Sequence, residues 1–325
     1  MATYKDIHGF KIQNVSSDPP APFNGQVWYN STTGNLRAKA SVSVQAWSTA
    51  NAMNTARFYT AGAGTQTSAL AFGGRSGPPS PIANAEAYNG TNWTAITSMN
   101  TARAYLGGCG DSSTNALAFG GTASYPAIGN TELWNGSNWT EVNNLNTARK
   151  RIAVSGAGSN TAALAFGGVP NADAVELWNG SNWTTTTSLI VGRQQAAGSG
   201  TSTSALCSGG ESPGADVASN ELWNGVGWTE VGDLNSAKKG LMGAGSGNTS
   251  AIVFGGSPAI ADTESWDGTS WTEVGNLNTG RNQMGPAGTA TTALAFGGLP
   301  GPANGTKTEE WSASPTPAVV TIETS

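Results

Sequence analysis

Six copies of a diglycine, each closing a short hydrophobic run, constrain this chain more than any other feature. They fall at Gly73-Gly74, Gly120-Gly121, Gly167-Gly168, Gly209-Gly210, Gly255-Gly256 and Gly297-Gly298. Phe precedes five of them, and Cys207-Ser208 stands before the fourth. After each pair comes a variable stretch, then a Glu two residues before an aromatic: Glu86/Tyr88, Glu132/Trp134, Glu176/Trp178, Glu221/Trp223, Glu264/Trp266 and Glu309/Trp311. Five of these run on through Asn-Gly or Asp-Gly to a second tryptophan, at Trp93, Trp139, Trp183, Trp228 and Trp271. A segment like Asn-Thr-Ala-Arg then opens the next unit. A period of about 40–50 residues with this content belongs to a repeat architecture.

Each unit reads as four strands. In the first unit they are Arg57 to Gly64, Ala69 to Phe72, Ala83 to Tyr88 and Asn92 to Ile96, with Asn89-Gly90 as the hairpin turn between the last two. The first is poor in bulky side chains, as expected where strands crowd together. The glycines after the second permit positive φ or close backbone approach. Four antiparallel strands repeated around a ring bury aromatics between twisted sheets stacked face to face, which is the plan of a β-propeller. A solenoid would need a shorter period or a helix in each repeat.

Composition agrees. Only 11% of residues are charged while Gly contributes 45 and Trp 12, a mix unsuited to a helical bundle. Regularly spaced tryptophans argue equally against disorder. A net charge of −5 is unfavourable for a nucleic-acid partner, and no stretch has the length of a membrane-inserted helix. Cys109 and Cys207 lie at different points of the repeat and read as small buried side chains rather than a disulfide.

Phe-Gly-Gly, an aromatic, Trp five residues later and then Met99-Asn100-Thr101-Ala102-Arg103 together resemble the kelch repeat, over residues 41–311. The resemblance implies an all-β, six-bladed kelch-type β-propeller. On this reading Gly73, Gly74, Trp93, Arg103, Glu132 and Trp139 are structural repeat positions. The sixth unit lacks its Trp-containing last strand, and the missing piece stands at the start, in Ser41-Val42-Ser43-Val44-Gln45-Ala46-Trp47. This strand is expected to complete the last blade and so remove two exposed edges.

Residues 1–40 form a short extension outside the repeat and 312–325 a tail. Pro19-Pro20-Ala21-Pro22 is a stiff linker, and Asn24 to Arg37 reads as a hairpin with a polar turn at Gly34. That hairpin resembles a short element of bacteriophage tail-fibre and other virion proteins; as a plain hairpin it would cap the propeller. Ala318 to Ile322 has strand character, and the sequence leaves open whether it pairs within the chain or with a neighbour.

The kelch resemblance brings in copper radical oxidases similar to galactose oxidase, whose site needs two histidines; this chain has only His8, outside the repeat. Sialidases, also six-bladed, cluster arginines on one side of a pocket. Here Arg57, Arg103, Arg149, Arg193, Lys238 and Arg281 recur once per unit, so they form a symmetric set expected to pair with the repeated Glu or with loop carbonyls. The repeated Glu are then structural as well. Asp111, Asp173, Asp216, Asp233 and Asp262 follow no repeat and read as loop residues. The sequons at Asn89, Asn92, Asn135, Asn138, Asn179 and Asn182 arise from the turn chemistry of the repeat.

No catalytic, cofactor or metal set is therefore expected, and the protein reads as non-enzymatic. The variable stretches after each diglycine, such as 75–85 and 122–131, are the expected contact surface. Its candidate residues are Arg75, Pro78, Pro79, Tyr125, Pro126, Glu211 and Pro300. The expected role is a bacteriophage virion component, a tail, fibre or surface protein. Its residues 1–40 meet other virion proteins, and its propeller meets a host envelope glycan or protein. The alternative is a kelch-type protein-interaction scaffold outside a virion, for example in the cytoplasm.

Overall fold

The computed structural model describes residues 12–23, 25–43, 45–77, 80–154, 158–313 and 315–322. The described residues are all-β apart from one helical turn at Gly301–Asn304, and the chain divides into a small and a large unit.

The large unit, residues 45–312, holds six four-stranded antiparallel sheets, each an open ribbon. In the first sheet the strands are Ala61–Thr65, Ser68–Phe72, Ala85–Tyr88 and Trp93–Ile96, in that order. The next four sheets repeat the same meander from Gly107, Ala153, Ala197 and Met242 onward. The sixth takes three strands from Gly285–Gly288, Thr292–Phe296 and Thr308–Ser312, and its fourth is Ala46–Ala50, with Trp47 opposite Trp311. The strand expected over Ser41–Trp47 is thus divided: Asn35–Ser43 belongs to the small unit and the pairing with Thr308–Ser312 starts at Ala46.

The repeated residues form the contacts between sheets. The second-strand phenylalanine of one sheet packs on the fourth-strand tryptophan of the next: Phe72 on Trp139, Phe119 on Trp183, Phe166 on Trp228, Phe254 on Trp47 and Phe296 on Trp93, with ring centroids 4.8–5.1 Å apart. Between the fourth and fifth sheets Ser208 stands where Phe would be, and Leu206, Leu241, Val253 and Trp271 pack there instead. The sixth sheet packs on the first through Phe296, Leu294 and Trp93. First-strand glycines make room for these rings. A Cβ on Gly108 would lie 2.5 Å from the Phe72 ring.

The diglycine has a specific cause. Gly73 and Gly74 have φ of 66° and 96°, and a Cβ on Gly73 would sit 2.7 Å from the Arg103 carbonyl oxygen of the next repeat. The same oxygen accepts a bond from the Gly74 N–H at 2.9 Å. Any side chain here would push neighbouring sheets apart.

Tryptophan N–H groups test how faithfully the repeat is kept. The Nε1 atoms of Trp47, Trp93 and Trp183 donate to the hydroxyls of Thr263, Thr308 and Thr131 at 2.9–3.1 Å. Trp228 packs on the third sheet, where Val175 occupies the threonine's position, and its buried Nε1 has no partner. Val175→Thr supplies the missing acceptor at almost constant volume. Expected is a gain of about 1 kcal/mol in unfolding free energy, read from denaturant melts; a loss would show that the hydroxyl cannot reach.

Both thiols are buried and free, in the second and fourth sheets, and burial pushes each up to about 12. Neither should react with iodoacetamide at pH 8 until the protein unfolds. Labelling of the native protein at the rate of a free thiol would contradict this burial.

In the small unit, Gln13–Val15 runs parallel to Val27–Asn30, which pairs antiparallel with Asn35–Ser43, which in turn pairs with Pro315–Thr321. The expected hairpin is present, with Gly34 at φ 72° and the Asn30 carboxamide oxygen capping the Thr32 and Thr33 N–H groups at 3.1 Å. Asp18 is its hub, accepting from Trp28 Nε1, Asn30 Nδ2 and Arg37 Nη1. The Asn30 and Trp28 bonds, with Arg37, hold its carboxyl below the usual range. The C-terminal strand Pro315–Thr321 pairs within the chain, on Asn35–Ser43. Residues 1–11, which include His8, and Asn24 lie outside the described residues.

Candidate functional site

Each repeat opens with a buried cation. Arg57, Arg103, Arg149, Arg193, Lys238 and Arg281 pair with Glu86, Glu132, Glu176, Glu221, Glu264 and Glu309 at 2.5–3.0 Å. The five arginines also donate to loop carbonyls; Arg149 Nη1, for example, reaches Gly167 O at 2.8 Å and Ala174 O at 2.6 Å. The carboxylates have further work. Glu132 accepts from the Asn100 and Thr101 N–H groups at 2.7 and 3.2 Å. All twelve side chains are enclosed. They hold the repeat together.

The site lies two residues further along. Tyr59, Tyr105, Arg151, Gln195, Gly240 and Gln283 occupy one equivalent position, with φ between 54° and 67°. The N–H of each donates to the carbonyl of its predecessor, Tyr105 to Tyr59, Arg151 to Tyr105, and so on, until Tyr59 donates to Gln283, at 2.8–3.2 Å. The six bonds form a cycle. Below it lies a cavity of about 80 Å³, walled by first-strand residues such as Gly62, Gly108, Ala153, Gly198 and Gly243. The strand expected from Arg57 therefore starts only at Ala61, because the left-handed turn at Tyr59 breaks the extended backbone.

Side chains at the cycle differ from repeat to repeat. Tyr59 stacks on Tyr105 with centroids 3.9 Å apart, and burial, then the Tyr105 hydrogen bond, pushes the Tyr59 hydroxyl up to about 12. Arg151 lies 5.2 Å from the Tyr105 ring centroid and donates to Gln194 Oε1 at 2.9 Å. Gln283 Nε2 donates to Gln195 Oε1. Burial, then the nearby Arg151 and Arg75, pulls the Lys150 ammonium down.

The post-diglycine loops border the same mouth. The residue preceding the cycle position pairs with the first loop residue: Phe58 with Arg75, Ala104 with Thr122, Lys150 with Val169, Gln194 with Glu211 and Asn282 with Leu299. Arg75 sits 5.3 Å from the Tyr105 centroid. Tyr125 is 81% exposed with Lys150 4.1 Å from its ring centroid, and the Pro126 carbonyl beside it accepts from Thr122 Oγ1 at 3.0 Å. Glu211 accepts from Gln195 Nε2 at 3.3 Å and, with Asp216, pairs with Lys239 at 3.1 Å. Those two carboxylates raise the lysine's affinity for its proton. Glu211 also borders a shallow depression of about 570 Å³ between the 169–173 and 211–214 loops. Pro300 is exposed beside Leu299; Pro78 and Pro79 lie outside the described residues.

Arg75, Tyr125, Pro126, Glu211 and Pro300 thus come to the loops flanking one mouth, while Gly73, Gly74, Trp93, Arg103, Glu132 and Trp139 lie in the scaffold. Sequence reasoning missed Tyr59, Tyr105, Lys150, Arg151, Gln195 and Gln283. Their signal was variation: Phe-Tyr, Ala-Tyr, Lys-Arg, Gln-Gln, Lys-Gly and Asn-Gln follow an otherwise uniform cation. No protein-family model matches the chain, and no curated protein matches it at a significant level.

Proposed function

We propose that the chain is a six-bladed kelch-type β-propeller acting as a non-enzymatic binding module of a bacteriophage virion. The face bearing the residue cycle and the post-diglycine loops is its contact surface, directed at a host envelope glycan or protein. The small unit, with the hairpin that resembles tail-fibre and virion proteins, meets other virion proteins. Six similar sheets, each packed on the next and the sixth on the first, support the propeller reading.

One observation carries the binding role. Five of the six cycle positions keep a large side chain at positive φ, where glycine would relieve strain of about 1 kcal/mol or more per residue. The fifth repeat has that glycine, Gly240, and makes the same backbone bonds. The backbone cycle therefore does not need the side chains; a ligand at the mouth does.

The double change Gln195→Gly and Gln283→Gly tests this directly. Expected is an unchanged or higher melting temperature together with weakened binding to host envelopes. Full envelope binding by that variant, and by one with residues 122–131 shortened, would remove this face from the function. Antibody labelling of intact particles by electron microscopy tests the virion assignment. Label at a defined tail or capsid position supports it, and unlabelled particles refute it.

A further inference from the structure

Resting on the reading of this face as the contact surface, we infer that the mouth binds an anionic saccharide. Arg75, Lys150 and Arg151 hold its charged group, and the amide side chains across the mouth hold its hydroxyls. The inference starts from charge. In a chain with 20 acidic and 15 basic residues, the buried cations of the repeat all have carboxylate partners, and Lys239 has two. Among the described residues Arg75, Lys150 and Arg151 have none, although Arg75 and Arg151 lie 5.3 and 5.2 Å from the same Tyr105 ring centroid and Lys150 is the chain neighbour of Arg151. Mutual repulsion makes such a cluster unfavourable in the empty protein, and a bound anion reverses the sign.

Aromatic rings hold the cations in place without neutralising them. Arg75 and Arg151 both lie against Tyr105, and Lys150 lies over Tyr125. Tyr105 is itself stacked on Tyr59, so the two guanidinium forks are positioned before any ligand arrives. Such forks match the planar carboxylate and the phosphate alike.

The rest of the mouth distinguishes a saccharide from an acidic peptide. Gln194, Gln195, Asn282 and Gln283 supply amide donors and acceptors, and the buried Oδ1 of Asn282 has no partner. A saccharide offers these amides a denser set of hydroxyls than a peptide backbone does, at a mouth whose underlying cavity of about 80 Å³ is lined by Leu106, Ile152, Met242 and Met284 as well as by glycine and alanine. Hydroxyl groups need only the amides.

The test is calorimetric titration of the full chain with tetragalacturonate, its methyl ester, a phosphorylated mannose oligomer and hexaglutamate. Expected is binding of the galacturonate or of the phosphorylated oligomer, at least tenfold tighter than the ester; the tighter of the two identifies the anionic group. Arg75→Gln and Arg151→Gln should each weaken that binding about tenfold at unchanged melting temperature. Lys150→Gln takes their place if either fails to fold. Lys239→Gln, a cation already paired on the same face, should leave it unchanged.

Equal affinity for acid and ester, no binding of either anionic saccharide at millimolar concentration, tighter binding of hexaglutamate, or indifference to all three charge changes would each overturn the inference. The outcomes separate from those of the proposed function. Envelope binding lost in Gln195→Gly/Gln283→Gly but kept in Arg151→Gln preserves the contact face and removes the anionic saccharide. Galacturonate binding with unlabelled particles keeps the saccharide and removes the virion.

Discussion

Replacing Glu132 by alanine should lower the stability of the large unit by about 3–5 kcal/mol, because it leaves a buried guanidinium with no counter-charge. Arg103 is fully enclosed, and burial has already pulled it down to about 10 even with Glu132 in place. The carboxylate also takes the Asn100 and Thr101 N–H groups, so alanine orphans two backbone donors as well. Replacing the pair together, with Arg103→Met and Glu132→Leu, should cost less than Glu132→Ala alone, since no charge is then stranded. Denaturant melts of the three variants give the comparison. A loss below about 1 kcal/mol for Glu132→Ala would mean that water reaches Arg103 and that the pair acts like a surface one.

The conspicuous residues were legible for one physical reason. Tryptophans, phenylalanines and diglycines are repeated because the same sheet-to-sheet contact is made again and again, so Phe119 against Trp183 could be inferred from Phe72 against Trp139. What is made once cannot be read from a repeat. The small sheet joins Asn35–Ser43 to Pro315–Thr321 across almost the whole chain, and no local pattern announces that pairing. The alternation Ser-Val-Ser-Val from residue 41 reads as one strand with Ala46-Trp47, yet the chain passes from one sheet to another between them. At the mouth, Arg57-Phe58-Tyr59-Thr60 has the aromatic and β-branched content of a strand, while its backbone turns left-handed at Tyr59. Gly240, at the same place in the fifth repeat, was the only residue whose chemistry hinted at that turn.

A chain spanning residues 52–312 should lose the cooperative melt that a chain spanning 45–312 retains. The difference between them is essentially the strand Ala46–Ala50, the fourth of the sixth sheet. Without it the Thr308–Ser312 strand presents an unpaired edge. Trp47, 6% exposed, also disappears from between Phe254 and Trp311, whose ring centroids lie 4.8 and 5.6 Å from its own. Its Nε1 bond to Thr263 links the sixth sheet to the fifth, and its carbonyl accepts from Asn278 Nδ2. Trp47→Ala in the full chain isolates the side-chain part and should cost about 3–5 kcal/mol. Addition of a peptide of residues 45–51 to the 52–312 chain should restore a single sharp transition, because it pairs again with Thr308–Ser312 and refills the space between Phe254 and Trp311. Were the 45–312 and 52–312 chains to melt at the same temperature, the N-terminal strand would be dispensable, and the packing of sixth sheet on fifth would have to be carried by other residues.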